Sequence, residues 1–189
     1  PEDPNAGSRA VPFSRELWIE SDDFMEVQKK GFFRLSPGTE VRLKGAYVVR
    51  CDEVVKDSSG AVVELRCTYD PATKSGDAAG RKVRGTLHWV SARHGVHAEV
   101  RLYDVLFTLR NLADMEEGRD YREYLNPESL VVCENAVVEP MLASAKEGES
   151  FQFLRQGYFC VDRDSTPERL VFNRSVALKD AWARIQARG

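Results

Sequence analysis

The chain has 189 residues, of which 42% are hydrophobic and 30% are charged, and its formal net charge is −3. This length and hydrophobic content suffice for one large domain or two small domains with a proper core. No apolar run approaches the roughly 18 residues that a membrane span needs, so no membrane role is indicated.

The first residues, PEDPNAGSRAVPF, contain neither an initiator Met nor the basic end, apolar stretch and cleavage site of a signal peptide. We therefore expect a fragment that begins inside a longer protein. The cysteines are far apart and none forms a CxxC pair, which argues against a structural zinc site and predicts no metal. Four buried, reduced thiols in a cytoplasmic protein are expected at these positions: Cys51, Cys67, Cys133 and Cys160.

An alternation of apolar and polar residues dominates the chain. In TEVRLKGAYVV, Val41 and Leu43 point one way while Arg42 and Lys44 point the other, which is typical of a half-buried antiparallel strand. Similar segments follow, separated by turn sequences such as KDSSG, DPATKSGDAAG and KEGE. In chain order they are AVVELRCTY, KVRGTLHWV, AEVRLYDVLF, FQFLRQGYFC and RLVFNRSVAL.

Helical patterns are confined to three short stretches, ESDDFM, ADMEEGRDYREYL and LKDAWARI. Many short strands with Gly and Pro turns favour small barrels or sandwiches over a parallel α/β sheet. The polar turns around residues 28–31 and 110–120 are plausible places for the chain to change from one barrel to another. The sequence therefore predicts an all-β fold with two small barrels and a few short helices.

A basic ribbon lies between residues 29 and 50, where six basic side chains face the single acid Glu40. Because the chain as a whole has a net negative charge, this positive charge is confined to one segment. It indicates either a surface for a polyanion or an ordinary solvated strand face. A second basic window, residues 81–101, holds five basic side chains against Glu99: Arg81, Lys82, Arg84, Arg93 and Arg101.

Aromatic side chains are interleaved with the basic and amide groups. Unpaired bases stack on aromatic or guanidinium planes and are read by Arg, Asn and Gln, so this mixture suits single-stranded RNA. Phe151 and Phe153 are more simply explained as core residues on one strand face. The same spacing places Gln152 on the opposite face, where its amide can read a base.

Catalytic patterns are missing from the sequence. Ser91 and Asp104 lie near the three histidines, but no G-x-S-x-G segment supports a hydrolase. No HExxH helix frames a metal site, and no phosphate-binding glycine loop of either common type occurs. The histidines are His88, His94 and His97.

Several long blocks, in order, carry a family resemblance. They include GSRAVPFSRELWIESDDFM, RLSPGTEVRLKGAYVVRCDEVVKD, CTYDPAT, GRKVRGTLHWVSARHGVHAEVRLYDVLF, LNPESLVV, FQFLRQGYFCVDRDS and LVFNRSVALKDAWA. Together these resemble the C-terminal anticodon-binding region of bacterial-type glutaminyl-tRNA synthetase, over nearly the whole chain. The resemblance implies two tandem six-stranded antiparallel barrels. Residues 1–30 with about 111–189 would form the barrel proximal to a catalytic domain, and about 31–110 the distal barrel.

The resemblance also implies roles for individual residues at the anticodon. Arg34 matches the arginine that reads the third base, a guanine, and Arg42 and Lys44 match residues of the first-base pocket. Gln152 matches the glutamine that reads the central uracil, and Arg155 supports that pocket.

Lys30 and Phe33 are possible supporting residues beside these positions. The chain departs from the family pattern at Gly31 and Phe33, where some members carry Gln and Lys, and at Lys44, where others carry Arg. Arg and Lys differ in such sites because only Arg presents a planar fork.

The expected function is recognition of the CUG or UUG anticodon of tRNA-Gln as part of a glutamine–tRNA ligase, which attaches glutamine to tRNA using ATP. The chain lacks the family's catalytic motifs, so ATP and Mg²⁺ would belong to the missing catalytic domain. The expected partners are the tRNA anticodon loop and that catalytic domain, with the protein a cytoplasmic monomer. Two alternatives remain: the matching region of a glutamyl-tRNA synthetase, and a β-barrel protein-interaction module without an RNA role.

Overall fold

The computed structural model describes residues 7–74 and 82–178 of the chain. The chain divides into two compact units, Pro1–His94 and Gly95–Gly189. Within the first unit, the N-terminal segment pairs with a strand close to residue 90. The division implied by the resemblance, in which residues 1–30 join about 111–189 in one barrel and about 31–110 form the other, stays a prediction.

The described residues of the first unit form six strands in two sheets. A four-stranded sheet has the order β4-β3-β2-β5, and a two-stranded sheet pairs β1 with β6. β2 is antiparallel to β3 and parallel to β5. The strands are β1 (Leu17–Trp18), β2 (Glu40–Leu43), β3 (Val48–Lys56), β4 (Val62–Asp70), β5 (Thr86–Leu87) and β6 (Val90–Ser91).

The alternation predicted for β2 is confirmed. Val41 and Leu43 are buried, whereas Arg42 is half-buried and Lys44, just after the strand, is exposed. Burial of one face against the core is what fixes the register of such a strand, because a slip of one residue would exchange the two faces. The core of this unit also contains buried side chains from the neighbouring segments: Leu35, Val49, Cys51, Leu87 and Trp89.

From Gly95 to residue 178, the second unit forms one five-stranded sheet of order β8-β7-β11-β10-β9. β11 is parallel to β7, and the other neighbours are antiparallel. The strands are β7 (Val96–Tyr103), β8 (Leu130–Val138), β9 (Ser150–Phe153), β10 (Gly157–Val161) and β11 (Leu170–Ala177).

Phenylalanine rings form the centre of the second core. Phe153 stacks on Phe159 with ring centroids 4.3 Å apart, and Phe151 and Phe153 both meet Phe172 edge to face. Phe159 and Phe172 are fully buried. The interpretation of Phe151 and Phe153 as core residues on one strand face is therefore confirmed.

Short helices are present only as 3₁₀ turns in the part of the chain that the structure describes. ESDDFM contains the first turn, and ADMEEGRDYREYL is divided between two turns by Gly118, whose φ of 83° does not fit a helix. LKDAWARI lies outside the described residues after its first residue. The turns are Ser21–Asp23, Pro71–Thr73, Leu112–Asp114, Tyr121–Tyr124 and Pro140–Ser144.

The prediction of a mostly β fold is confirmed, but the two six-stranded barrels are not. Between residues 7 and 74 and between 82 and 178, no sheet closes on itself. Barrel closure requires the first and last strands of a sheet to pair, and the edge strands of both larger sheets lack that partner here. No helix in these ranges is long and apolar enough to cross a membrane.

Candidate nucleic-acid interface

Arg34 is held in place by the 3₁₀ turn that precedes it. Its Nη1 donates a hydrogen bond of 2.7 Å to the carbonyl oxygen of Asp22 and lies 3.3 Å from Oδ1 of Asp23. Asp23 is buried, while the Arg34 side chain is 39% exposed. Both contacts use Nη1, so the guanidinium is oriented at one end and can offer its Nη2 and Nε donors outward.

The local chain path explains this arrangement. Phe24 and Leu35 form an isolated parallel bridge, and the Leu35 amide donates to the carbonyl of Asp23 at 3.0 Å. The backbone on either side of Arg34 is thereby tied to the turn that carries both acceptors. Arg34 is thus positioned by the turn and by the buried carboxylate of Asp23, while its side chain remains partly exposed.

Arg42 connects β2 to the turn at Pro71–Thr73. Its Nη1 donates to the carbonyl oxygen of Thr73 at 2.8 Å. The Thr73 hydroxyl accepts from the Val48 amide at 2.8 Å and donates to the carbonyl of Asp70 at 2.6 Å. Part of the Arg42 guanidinium therefore stabilises the sheet.

Lys44 has a fixed backbone and an exposed side chain. Its amide donates to the carbonyl of Leu87 at 2.9 Å, and its own carbonyl accepts from Nε1 of Trp89 at 3.0 Å. The Lys44 side chain therefore starts from a fixed backbone, and the residue is exposed to solvent. Such a group suits contact with a phosphate or a base edge better than a rigid bidentate contact.

Gln152 lies on the exposed face of β9, as its spacing from the phenylalanines predicted. It is directly opposite Tyr158 of β10, which in turn pairs with Val176 of β11. Tyr158 is 44% exposed. The amide thus stands beside an aromatic ring on the same face of the sheet.

Arg155 occupies the hairpin between β9 and β10. Its φ of 65° lies in the left-handed region, and the turn is closed by a 2.9 Å hydrogen bond from the Gln156 amide to the carbonyl of Phe153. Arg155 is exposed at this turn. It belongs to the second unit with Gln152, whereas Arg34, Arg42 and Lys44 belong to the first.

Lys30, Gly31 and Phe33 all lie at the surface. The Phe33 ring is accompanied by Arg84, whose Cζ is 5.4 Å from the ring centroid. Arg84 belongs to the second basic window, and nothing in the sequence links it to Phe33 because the two residues are far apart along the chain.

Arg101 of the same window has a structural role. Its guanidinium forms ion pairs with Glu99 at 2.6 Å, Asp164 at 3.0 Å and Asp162 at 3.6 Å, and its side chain is only 18% exposed. The hydrogen bonds that Arg101 donates to Glu99 and Asp164 raise its pKa. Neighbouring carboxylates therefore compensate its positive charge, so Arg101 contributes to the stability of the second unit.

The serine near the histidines makes no catalytic arrangement in the described part of the chain. The Ser91 hydroxyl is 2.7 Å from the Ser14 hydroxyl and accepts from the His94 backbone amide at 3.2 Å. These contacts join β6 to the N-terminal segment. They do not activate the hydroxyl through an imidazole.

The cysteines are free thiols, but they are not uniformly buried. Cys51 is fully buried, Cys133 and Cys160 are half-buried, and Cys67 is on an exposed position of β4. Cys51 and Cys67 are directly opposite each other in the β3/β4 pair. Desolvation of the Cys67 sulfur raises its pKa to about 12, and desolvation also raises the pKa of Cys51.

Two family models match the chain, over residues 1–70 and 86–162, and both describe the anticodon-binding domain of class I tRNA synthetases (E and Q). The glutamine–tRNA ligase of Nitrobacter hamburgensis is 56% identical over the whole chain, which covers 33% of that protein. Those of Pseudomonas putida and Rhodopirellula baltica are 53% and 50% identical over 93% and 100% of the chain, covering 31% of each protein. The chain thus spans about a third of the length of these curated relatives.

Proposed function

This chain belongs to the anticodon-binding domains of the class I tRNA synthetases (E and Q), and we propose on that premise that it recognises the anticodon of tRNA-Gln within a glutamine–tRNA ligase. In this proposal the chain contributes recognition of the tRNA and takes no part in the aminoacylation reaction itself. Activation of glutamine with ATP and Mg²⁺ and its transfer to tRNA belong, in this proposal, to the catalytic part of the longer ligase.

The geometry of Arg34 is the observation that carries the proposal. Asp23 and the Asp22 carbonyl hold one nitrogen of its guanidinium, so the remaining donors form an oriented fork at the surface. Guanine offers two adjacent acceptors, O6 and N7, which such a fork can engage with two hydrogen bonds. This geometry is compatible with the role that the family resemblance implies for Arg34, and we assign Arg34 on that basis to the third anticodon base, a guanine.

Arg42 and Lys44 are assigned to the first base. Arg42 uses Nη1 for the Thr73 carbonyl, so its part in this pocket would be to hold the strand in place. Lys44 contributes a mobile charge from a fixed backbone. Of the two, Lys44 would make the more adaptable contact with RNA.

Gln152 is assigned to the central uracil. An amide both donates and accepts, as does the Watson–Crick edge of uracil, and the exposed ring of Tyr158 beside it offers a surface on which an unpaired base can stack. Arg155 would support this pocket from the hairpin with its positive charge.

The finer architecture and the cellular setting are part of the same proposal. The five-stranded and four-stranded sheets would be walls of the two six-stranded barrels that the family resemblance implies. A crystal structure of the longer ligase would test this closure. The protein would act as a cytoplasmic monomer, with the tRNA and its own catalytic domain as partners.

A glutamyl-tRNA synthetase is the nearest competing assignment, because the matching family models cover both the E and Q enzymes. The two would differ in the third anticodon base. Binding of this chain to anticodon stem-loops bearing CUG and CUC, at two salt concentrations, separates the two assignments. We expect a preference for CUG and an affinity that falls with salt as counterions are released. A preference for CUC would favour the glutamyl assignment, and the absence of binding would favour a protein-interaction module.

A further inference from the structure

Phe33 and Arg84 meet although 50 residues of chain separate them. The contact follows from a close crossing of their two segments. A Cβ atom added to Gly85 would lie 2.2 Å from the carbonyl oxygen of Phe33, so the two backbones touch at a position that only glycine allows. The Gly85 carbonyl also accepts from the Arg42 amide at 2.8 Å, which fixes this segment to β2.

The side chains at this crossing are exposed and complementary. The Phe33 ring is 51% exposed, and the Arg84 guanidinium carbon is 5.4 Å from its centroid. A cation above an aromatic face is attracted by the negative electrostatic potential of the ring. The contact therefore orients the ring while leaving much of it uncovered next to Arg34.

A second arginine–aromatic pair in the chain shows what distinguishes this one. Arg122 lies over Tyr121 at 6.0 Å, and Tyr121 is 53% exposed. Arg122, however, is paired with the carboxylate of Asp120 at 2.5 Å. Among the described residues, Arg84 forms no ion pair with a carboxylate, and its contact is with the Phe33 ring.

We propose that Phe33 and Arg84 form a stacking platform for one unpaired nucleotide of a bound RNA, with its base on the Phe33 ring and its phosphate beside Arg84. This inference rests on the proposed function and adds a subsite to it. Single-stranded nucleic acids bind in this manner, by stacking of bases on aromatic rings and attraction of the backbone to basic side chains. The platform would order the nucleotide next to the base that Arg34 reads.

The test uses the 189-residue chain and a CUG anticodon stem-loop in which 2-aminopurine replaces one loop base at a time. Stacking quenches the fluorescence of this base. We expect one position to be quenched on binding, and Phe33→Leu to abolish that quenching and weaken binding about 5- to 150-fold. Phe33→Trp should retain the quenching and the affinity, because it preserves the aromatic face.

Arg84→Met should weaken the quenching at the same position and reduce the salt dependence of binding, since it removes one phosphate contact while keeping the length of the side chain. Tyr121→Leu and Arg122→Met are the matched controls. They should leave the quenching and the salt dependence of binding unchanged. Unchanged unfolding midpoints in urea would show that the variants remain folded. Equal quenching and affinity in the chain with Phe33 and in Phe33→Leu would overturn the inference.

A single-stranded RNA without an anticodon sequence separates this inference from the proposed function. If the chain prefers CUG over CUC but shows no dependence on Phe33, the platform fails and the proposed function stands. If binding depends on Phe33 for any single strand and no anticodon is preferred, the platform stands and the proposed function fails. The absence of binding to every RNA would overturn both.

Discussion

Arg34 and Asp23 form an ion pair in which the two partners differ in exposure. The carboxylate side chain is 2% exposed and the guanidinium side chain is 39% exposed, with 3.3 Å between Oδ1 and Nη1. A buried carboxylate needs a partner, because its desolvation is costly when it is left alone. The ion pair therefore holds Nη1 of Arg34 against a buried carboxylate, while the Arg34 side chain stays partly exposed.

Arg34→Lys separates charge from geometry at this position. Lysine keeps the positive charge but loses the planar fork, so we expect the preference for CUG over CUC to fall by about 5- to 150-fold, equivalent to about 1–3 kcal/mol. The salt dependence of binding should stay the same, since the charge is retained. Titration of both stem-loops at two salt concentrations measures this. Equal weakening on both stem-loops would instead show that Arg34 contacts a phosphate.

Gln152→Leu removes the amide from the exposed face of β9 while keeping a side chain of similar size. We expect affinity for a stem-loop with a central uracil to fall by about 5- to 150-fold, because the hydrogen bonds to the base are lost. Ser150→Ala, on the same face of the same strand, is the control and should have little effect. A loss as large for a stem-loop with a central cytosine would contradict the assignment of Gln152 to base reading.

Strands with a clear alternation could be predicted from the sequence, and β8 shows why others could not. Leu130, Val131 and Val132 are consecutive apolar residues, each more than 40% exposed, so they have neither the alternation of a half-buried strand nor the burial of a central one. The order of the strands in each sheet was equally difficult to predict, because it depends on partners distant in sequence, such as the parallel pairing of β11 with β7.

The candidate site was predictable where neighbours in sequence determine the geometry. The position of Gln152 on the exposed face of β9 follows from the two flanking phenylalanines alone. The contact of Arg42 with Thr73 joins residues 31 positions apart, and that of Arg101 with Asp164 joins residues 63 positions apart. A count of basic residues cannot show which arginines make such contacts within the protein.

Arg101→Met tests the structural role of the ion pairs that Arg101 forms in the second unit. Methionine retains an apolar stem but leaves Asp162 and Asp164 without this arginine. We expect the free energy of unfolding at pH 7 to fall by about 2 kcal/mol, between the values typical of exposed and buried pairs. Urea denaturation measures the change. Arg119→Met, which breaks an exposed ion pair, should change stability little.

The effect of Arg101→Met should also depend on pH. Hydrogen bonds from Arg169 and Arg101 lower the pKa of Glu99 in the folded protein. A lowered folded-state pKa stabilises the protein above the ordinary pKa of a glutamate, about 4.3, and this stabilisation is lost as the pH falls through the folded-state pKa. The difference between the two proteins should therefore shrink below about pH 4. A constant difference from pH 7 to pH 3 would exclude Glu99 as its source.

Cys67 should be slow to react although its position on β4 is exposed. Burial of the sulfur raises its pKa to about 12, and the thiolate is the reactive form, so few of these thiols are ionised near pH 8. Relative to a small thiol of pKa about 8.5, alkylation by iodoacetamide should be roughly a thousandfold slower at that pH and should accelerate as the pH is raised. Mass spectrometry of peptides after timed alkylation measures the rate. A rate close to that of the small thiol would show that the Cys67 sulfur is solvated and not buried against Cys51.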